Sequence, residues 1–281
     1  MNKFKDRQSS SIYKLRIFHN WVKRELISQT CNYLRENYDV DIALLDLSCG
    51  RGGDLMKYYN NNILDVVGFD IDENSIIEAK KRYHEMINQL KRKNVKNLPK
   101  YEFNVIDLSQ PSNLPKIKNI LNNKKFDIVS CQFAIHYFFK NKESLENLIK
   151  IVHYYLNKNG FFIGTTINGN IVKELFTDNS IITSDIFKLE NKTVVTNDPY
   201  GNKYLVYLGK ESDKGHYFVN KPSEEYLVDI DELKKVCSKY NLMFVGTIEF
   251  ERWYSLFNKN ILSDSEKEFS FLNFSFVFTL K

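Results

Sequence analysis

Apolar residues recur three and four positions apart at Ile12, Leu15, Phe18, Val22, Leu26, Ile27 and Leu34, so residues 12–37 are predicted to form an amphipathic helix. Short apolar runs of strand length follow. Ile42 to Leu47 is the first and DVVGFD (65–70) the second, with a short helix predicted between them from Gly53 to Tyr59. Helical spacing returns from Ser75 to Leu90, with Asn74 or Ser75 as the expected cap. A basic loop, KRKNVKNLPK (91–100), leads into a third strand from Tyr101 to Val105, and Lys124-Lys125 leads into a fourth from Phe126 to Ser130. Leu145 to Leu156 reads as a helix closed by Asn159-Gly160, and Phe161 to Thr166 as a fifth strand. Alternation of strands and helices over 42–166 argues for a parallel, doubly wound sheet that holds its ligand at the carboxyl ends of the strands.

Beyond residue 170 the texture changes. Thr193 to Thr196 and Tyr204 to Leu208 read as paired strands joined by the turn-rich NDPYGNK, Asp231 to Tyr240 as a helix, and Leu242 to Phe250 and Phe274 to Leu280 as strands. The last two are expected to complete the same sheet. The organisation expected is therefore one domain over 1–281. A helical segment at 1–40 would contribute to the ligand site, and 170–225 would be an insertion above the ligand edge.

Composition narrows the class. With 281 residues and 43 % hydrophobic content the chain can bury a large core. No apolar run approaches the length of a membrane-spanning helix, and MNKFKDRQSSS lacks the apolar segment of a secretory signal, so no membrane partner is expected. The four cysteines (Cys31, Cys49, Cys131, Cys237) are dispersed without a C-x-x-C pair, so neither a disulfide framework nor a metal site is expected. A net charge of +5 is a mild excess that suits an anionic partner.

The candidate chemistry starts at LLDLSCGRGGD (44–54). A glycine-rich turn after a strand can hold a dinucleotide, a nucleoside triphosphate or S-adenosylmethionine. Asp70, about twenty residues on and at the end of the second strand, can accept hydrogen bonds from both hydroxyls of a ribose. A dinucleotide requires helix-N-terminal amides aimed at a pyrophosphate, usually as G-x-G-x-x-G. Here Asp54 enters near that terminus, where it would repel a pyrophosphate and suit an ammonium group. There is no G-x-x-x-x-G-K-[ST] either. Asp107, after the third strand, can accept from an adenine amino group, and Gln132 and Phe133 follow the fourth strand. S-adenosylmethionine is the best fit.

Several stretches carry a resemblance. LRIFHNWVK (15–23), LLDLSCGRGGDLMKY (44–58), GFDIDENSIIEAKKRY (68–83), FDIVSCQFAIHYFF (126–139) and GFFIGTTINGNIV (160–172), with EEYLVDIDELKKVCSKYNL (224–242) more weakly, resemble the eukaryotic and viral mRNA cap guanine-N7 methyltransferases. The resemblance runs from about residue 12 to the end. It implies a Rossmann-like class I S-adenosylmethionine-dependent methyltransferase: an α/β fold with a mostly parallel sheet of about seven strands and helices on both faces. It implies that Lys23 holds the cofactor's carboxylate, Asp54 faces its ammonium, Asp70 binds the ribose, Asp107 the adenine, and Gln132 the methionine part, with Ser48, Gly50 and Phe133 also at the cofactor. It implies that His136 and Tyr137 line the guanine pocket, Glu225 bonds the N1 and N2 edge of guanine, and Asn20 touches substrate.

Guanine N7 carries a free lone pair, so in-line displacement needs no general base and no residue is assigned as acid or base. The products would be N7-methylated cap and S-adenosylhomocysteine. Lys57, Arg82 and Arg51 are candidates for the cap's triphosphate. The implied partner is capped RNA (GpppN-RNA), with an RNA triphosphatase and guanylyltransferase fused or associated, in an otherwise monomeric chain. The expected location is the cytoplasm for a virus and the nucleus for a cell. Three positions depart from the family: His19 stands for Asn, Ser48 for Gly, with φ expected below zero, and Asn273 for a Tyr over the cap, with Phe271 or Phe274 as the residues that could compensate. A methyltransferase acting on tRNA or a small molecule, an inactive partner subunit of the same fold, and a dehydrogenase are the competing readings.

Overall fold

The computed structural model describes residues 9–38, 40–194, 196–210, 213 and 222–281. Helix α1 (Tyr13–Tyr38) precedes the strand-helix series. β1 (Ala43–Leu47) leads through α2 (Leu55–Asn60) to β2 (Asp65–Asp70), and α3 (Glu73–Arg92) to β3 (Lys100–Val105). α4 (Leu114–Leu121) precedes β4 (Phe126–Gln132), and α5 (Lys142–Tyr155) precedes β5 (Leu156–Ile167). α6 (Gly169–Asp178) opens the second half, followed by β6 (Ile181–Thr183), β7 (Phe187–Asn191), β8 (Lys203–Leu208) and β9 (Ser223–Tyr226). α7 (Ile230–Lys239), β10 (Leu242–Glu249), α8 (Phe250–Phe257), α9 (Asp264–Phe271) and β11 (Asn273–Leu280) complete the chain.

Seven strands form one sheet in the order β10-β11-β5-β4-β1-β2-β3, with β1 to β5 parallel and β11 antiparallel to both its neighbours. β1 is flanked by β2 on one side and β4 on the other, so the strand order reverses beside it. In doubly wound folds that switch point opens a crevice at the carboxyl ends of the strands. Continuous apolar runs such as Leu44 and Leu45 are explained by coverage on both faces. One face packs Leu26, Ile27 and Cys31 of α1 against Leu44, Val66 and Ile128. The other packs Ile117 of α4, Leu148 and Val152 of α5 and Val236 of α7 against Leu45, Val129 and Phe276. Each such fully buried side chain contributes about 1.5–3 kcal/mol.

A second sheet, antiparallel in the order β6-β7-β8-β9, lies within the 170–225 stretch. Its Phe187, Leu189, Tyr204 and Val206 pack with Ile12, just before α1, Leu15 of α1, Val172 of α6 and Phe269 of α9. The start of α1 is thus joined to this sheet while its centre lies on the main one.

Several elements differ from expectation. The strand paired with β8 is Phe187–Asn191, not Thr193 to Thr196. Val194 is 86 % exposed, and β-branched residues alone did not place a strand there. Residue 195 lies outside the described residues. α3 starts two residues early because Asp72 is its cap, accepting from Ser75 N–H at 3.0 Å and Ser75 Oγ at 2.6 Å. Strand β5 begins at Leu156, with Asn159 at φ +64 and a register irregularity before Phe161. α4, α6, α8 and α9 were not expected, and Phe250 opens α8 rather than ending β10.

Candidate active site

The chain leaves β1 through three left-handed positions: Ser48 at φ +66, Gly50 at +52 and Gly52 at +66. Backbone pairing pins the turn. Cys49 N–H donates to Phe69 O at 2.9 Å and Gly52 N–H to Cys49 O at 3.1 Å. A Cβ at Gly52 would lie 2.9 Å from Leu55 Cδ1, so that glycine serves the packing of the turn on α2 and α3. A Cβ at Gly50 would meet nothing within 4 Å. There the backbone faces open space that a ligand can approach. The expectation of a negative φ at Ser48 is corrected: the serine adopts the conformation that glycine favours, because the turn is held by its neighbours. Ser48→Gly is therefore expected to raise stability by about 0.5–1 kcal/mol, read as a higher urea midpoint. A lower midpoint would show that the serine side chain has a compensating contact.

Asp54 follows the turn, immediately before α2, and sits between two ammonium groups. Lys23 Nζ of α1 lies 2.8 Å from its Oδ1 and Lys57 Nζ of α2 lies 2.7 Å from the same oxygen. Lys57 also donates to Asn20 Oδ1 at 2.9 Å. Burial pushes the Asp54 carboxyl up, but Lys23 and Lys57 override it and hold its pKa at about 2. His19, on the same helix, is held neutral, its pKa lowered to about 3 by burial and by Lys23. Its ring stacks on Phe133 at 5.3 Å and its Nε2 lies 3.0 Å from Ser270 Oγ.

Sequence reasoning missed Asp46 and Tyr58. Asp46 is buried in β1 and accepts from Tyr58 OH at 2.8 Å. Burial and the nearby Asp54 raise its pKa from 3.8 to about 7. The signal for it was a carboxylate inside the apolar run LLDL. A folded pKa above the unfolded one means the folded state binds more protons between about pH 4 and 7, so stability falls as pH rises through that window and is level above it. Asp46→Asn is expected to raise stability at pH 8 by about 1–2 kcal/mol and to leave it unchanged near pH 4. Melting curves at both values check this, and an equal effect at both would contradict it.

The remaining strand ends bring further polar groups to the same edge. Asp70, ending β2, accepts from Gly50 N–H at 2.7 Å through Oδ2 and from Asp72 N–H at 2.9 Å through Oδ1. Each oxygen retains a lone pair. Asp107, after β3, accepts from Ser109 N–H at 2.9 Å and Ser109 Oγ at 2.6 Å. Gln132 ends β4 with its amide fixed, donating to Ser130 Oγ at 3.1 Å and accepting from Thr165 Oγ1 at 3.0 Å.

A second cluster lies where the short 3₁₀ turn Ile135–Lys140 meets the smaller sheet. His136 is buried, with Nε2 3.7 Å from Glu225 Oε1 and, among the described residues, no hydrogen bond to either ring nitrogen. Burial lowers its pKa, partly offset by Glu225, so the ring is neutral. Glu225 on β9 is itself buried and accepts from Tyr204 OH of β8 at 3.0 Å. Tyr204 is a third residue that sequence reasoning missed. Glu224, its neighbour, is exposed and pairs with Lys203. Tyr137 is 43 % exposed, its hydroxyl 3.1 Å from Ser223 Oγ.

Other candidates fall elsewhere. Asn20 is exposed, and its hydrogen bonds go to Arg16 O and Lys57 rather than to the Glu225 cluster. Arg82 pairs with Glu78 one turn earlier on α3. Asn273 is fully buried and donates to Phe269 O and Ser270 O at the end of α9, and Phe274 lies in the core. Neither therefore replaces an aromatic ring at a surface site.

The mRNA (guanine-N(7))-methyltransferase domain profile matches residues 1–273. The chain belongs to the mRNA (guanine-N(7))-methyltransferase family. It is 31 % identical over 256 residues to the mRNA cap guanine-N(7) methyltransferase of Schizosaccharomyces pombe, covering 88 % of this chain and 64 % of that protein. It is 28 % identical to a probable mRNA-capping enzyme of Acanthamoeba polyphaga mimivirus, covering 96 % of this chain and 24 % of that protein. The chain thus spans less than two thirds of the length of these relatives. Its fold matches an S-adenosylmethionine-dependent methyltransferase of Clostridium acetobutylicum with TM-score 0.57, 16 % identity and 91 % coverage of both chains. The Rossmann-like class I architecture expected from sequence is the one observed.

Proposed function

We propose that this chain methylates guanine N7 of an RNA cap, using S-adenosylmethionine. The observation that carries the reading is the buried Glu225, held by Tyr204 and set beside neutral His136 and exposed Tyr137. A desolvated carboxylate of this kind suits a purine edge whose positive charge grows during reaction. Family membership and the turn at 48–54 support the cofactor: Gly50 leaves open backbone, and Asp54, Lys23 and Asp70 supply groups complementary to an amino acid and a ribose. Ser48 already takes the glycine-like conformation, so its presence is compatible with an intact turn.

When bound, S-adenosylmethionine supplies an electrophilic methyl group on a sulfonium. Displacement at that methyl by the N7 lone pair would need no proton transfer and would leave S-adenosylhomocysteine. In this reading Lys23 binds the carboxylate and Asp54 the ammonium, Asp70 the ribose, Asp107 the adenine and Gln132 the methionine chain. Tyr137 and His136 fix the plane of the guanine, and Glu225 accepts from its N1 and N2 hydrogens. Alignment by these groups can lower the barrier by roughly 7–11 kcal/mol. The substrate is capped RNA. The RNA triphosphatase and guanylyltransferase would be fused or associated, a reading supported by the share of the mimivirus capping enzyme that this chain spans.

Calorimetry tests the pairing of sites. S-adenosylhomocysteine and GpppA are expected to bind together, with GpppA lost in Tyr137→Ala while S-adenosylhomocysteine binding persists. NAD binding in place of S-adenosylhomocysteine would refute the reading.

A further inference from the structure

A groove of about 480 Å³ lies where the first half of α1 meets α2 and the end of α8. Arg16, Arg24, Lys57 and Lys259 line it, and among the described residues no carboxylate does. Trp21, half-buried, also lines it. The indole is fixed from behind: it is stacked on Phe18 at 6.4 Å, tilted on Phe257 at 5.0 Å and edge-on to Trp253 at 5.9 Å. The groove adjoins the candidate cofactor site through Lys57, which bonds both Asp54 and Asn20, another lining residue.

Arg24 pairs with Glu25 at 3.3 Å and Lys57 with Asp54 at 2.7 Å, both carboxylates outside the lining, so the concave surface around this rigid aromatic ring keeps a cationic excess. It fits a chain that carries regularly spaced anions and flat rings. We infer that this groove takes the single-stranded RNA beyond the cap, with phosphates on Arg24, Arg16 and Lys259 and a base against Trp21. This rests on the cap methylation reading above and extends it to the body of the transcript. Such binding reads backbone and stacking rather than sequence, and it weakens with salt.

The test uses the full chain, with a short capped RNA of mixed sequence, the same RNA uncapped, and the GpppA dinucleotide. The double variant Arg24→Glu, Lys259→Glu is expected to bind both RNAs at least ~10-fold more weakly. Its slope of log affinity against log salt should be shallower by about 1.4, or roughly 0.7 per phosphate contact. Turnover of GpppA should not change. Trp21→Leu, which leaves the charges in place, is expected to weaken RNA by ~5- to 100-fold without altering the slope. If GpppA proves not to be a substrate, the uncapped RNA still reads the groove, so the two failures are separable. Unchanged RNA affinity in the double variant overturns the proposal, as does an equal loss on RNA and GpppA. If poly-glutamate binds the wild type, loses affinity in the double variant, and RNA is indifferent, the groove is a protein-docking surface and the proposal is overturned.

Discussion

Asp54→Ala is expected to lower stability by about 2–4 kcal/mol and to weaken S-adenosylmethionine by roughly 10- to 100-fold. The side chains of Lys23, Asp54 and Lys57 are only 14 %, 11 % and 12 % exposed. Removing the carboxylate leaves two ammonium groups facing one another with little water, which costs more than an exposed pair contributes. Their aliphatic stems allow partial escape to solvent, which keeps the loss below the upper end of the range for buried pairs. The sign with pH follows from a folded pKa of about 2, below the ordinary 3.8. The contribution is complete above about pH 4 and fades as pH falls towards 2, so the difference between wild type and variant should shrink in acid. Denaturation at pH 7 and pH 3, with calorimetry for the cofactor, measures both effects. Unchanged stability at pH 7 would mean that the lysines are solvated without Asp54.

Glu225→Gln is expected to reduce kcat by roughly 10²-fold, with a smaller rise in KM. The amide preserves shape and can still accept from Tyr204, which now reaches Glu225 Oε2 at 3.0 Å. What it removes is the negative charge beside a purine that becomes cationic as the methyl transfers. An interaction that strengthens towards the transition state appears mainly in kcat. The buried setting makes this charge worth more than a surface glutamate's. A variant that raised KM alone would instead mark Glu225 as a binding group without preference for the transition state. Glu225→Ala should add a stability loss, because it also strands the buried Tyr204 hydroxyl.

The two clusters were unequally legible. The glycine turn, Asp54 and Asp70 could be read from local spacing because strand, turn and helix follow one another in the chain. The conformation of Ser48 could not, since it is imposed by the pairing of Cys49 with Phe69 on another strand. Asp46 and Tyr58 escaped for a similar reason: an aspartate in an apolar strand and a tyrosine in a short helix meet only after β1 and α2 fold back on each other. The burial of Glu225 depends on Tyr204 and His136, residues from β8 and from the turn after β4. Around the smaller sheet the pattern misled. Thr193 to Thr196 is rich in β-branched residues, yet Phe187 and Leu189 are the alternating pair with a core to bury against. The helices α8 and α9 are short, and an apolar run of that length does not distinguish helix from strand.

The central claim is that the methyl group goes to guanine N7 of a cap. Transfer from labelled S-adenosylmethionine to GpppA-capped RNA tests it directly, with RNA already methylated at N7 as the companion substrate. The account predicts label on the first and none on the second. Equal labelling of both would place the methyl on another atom and contradict it.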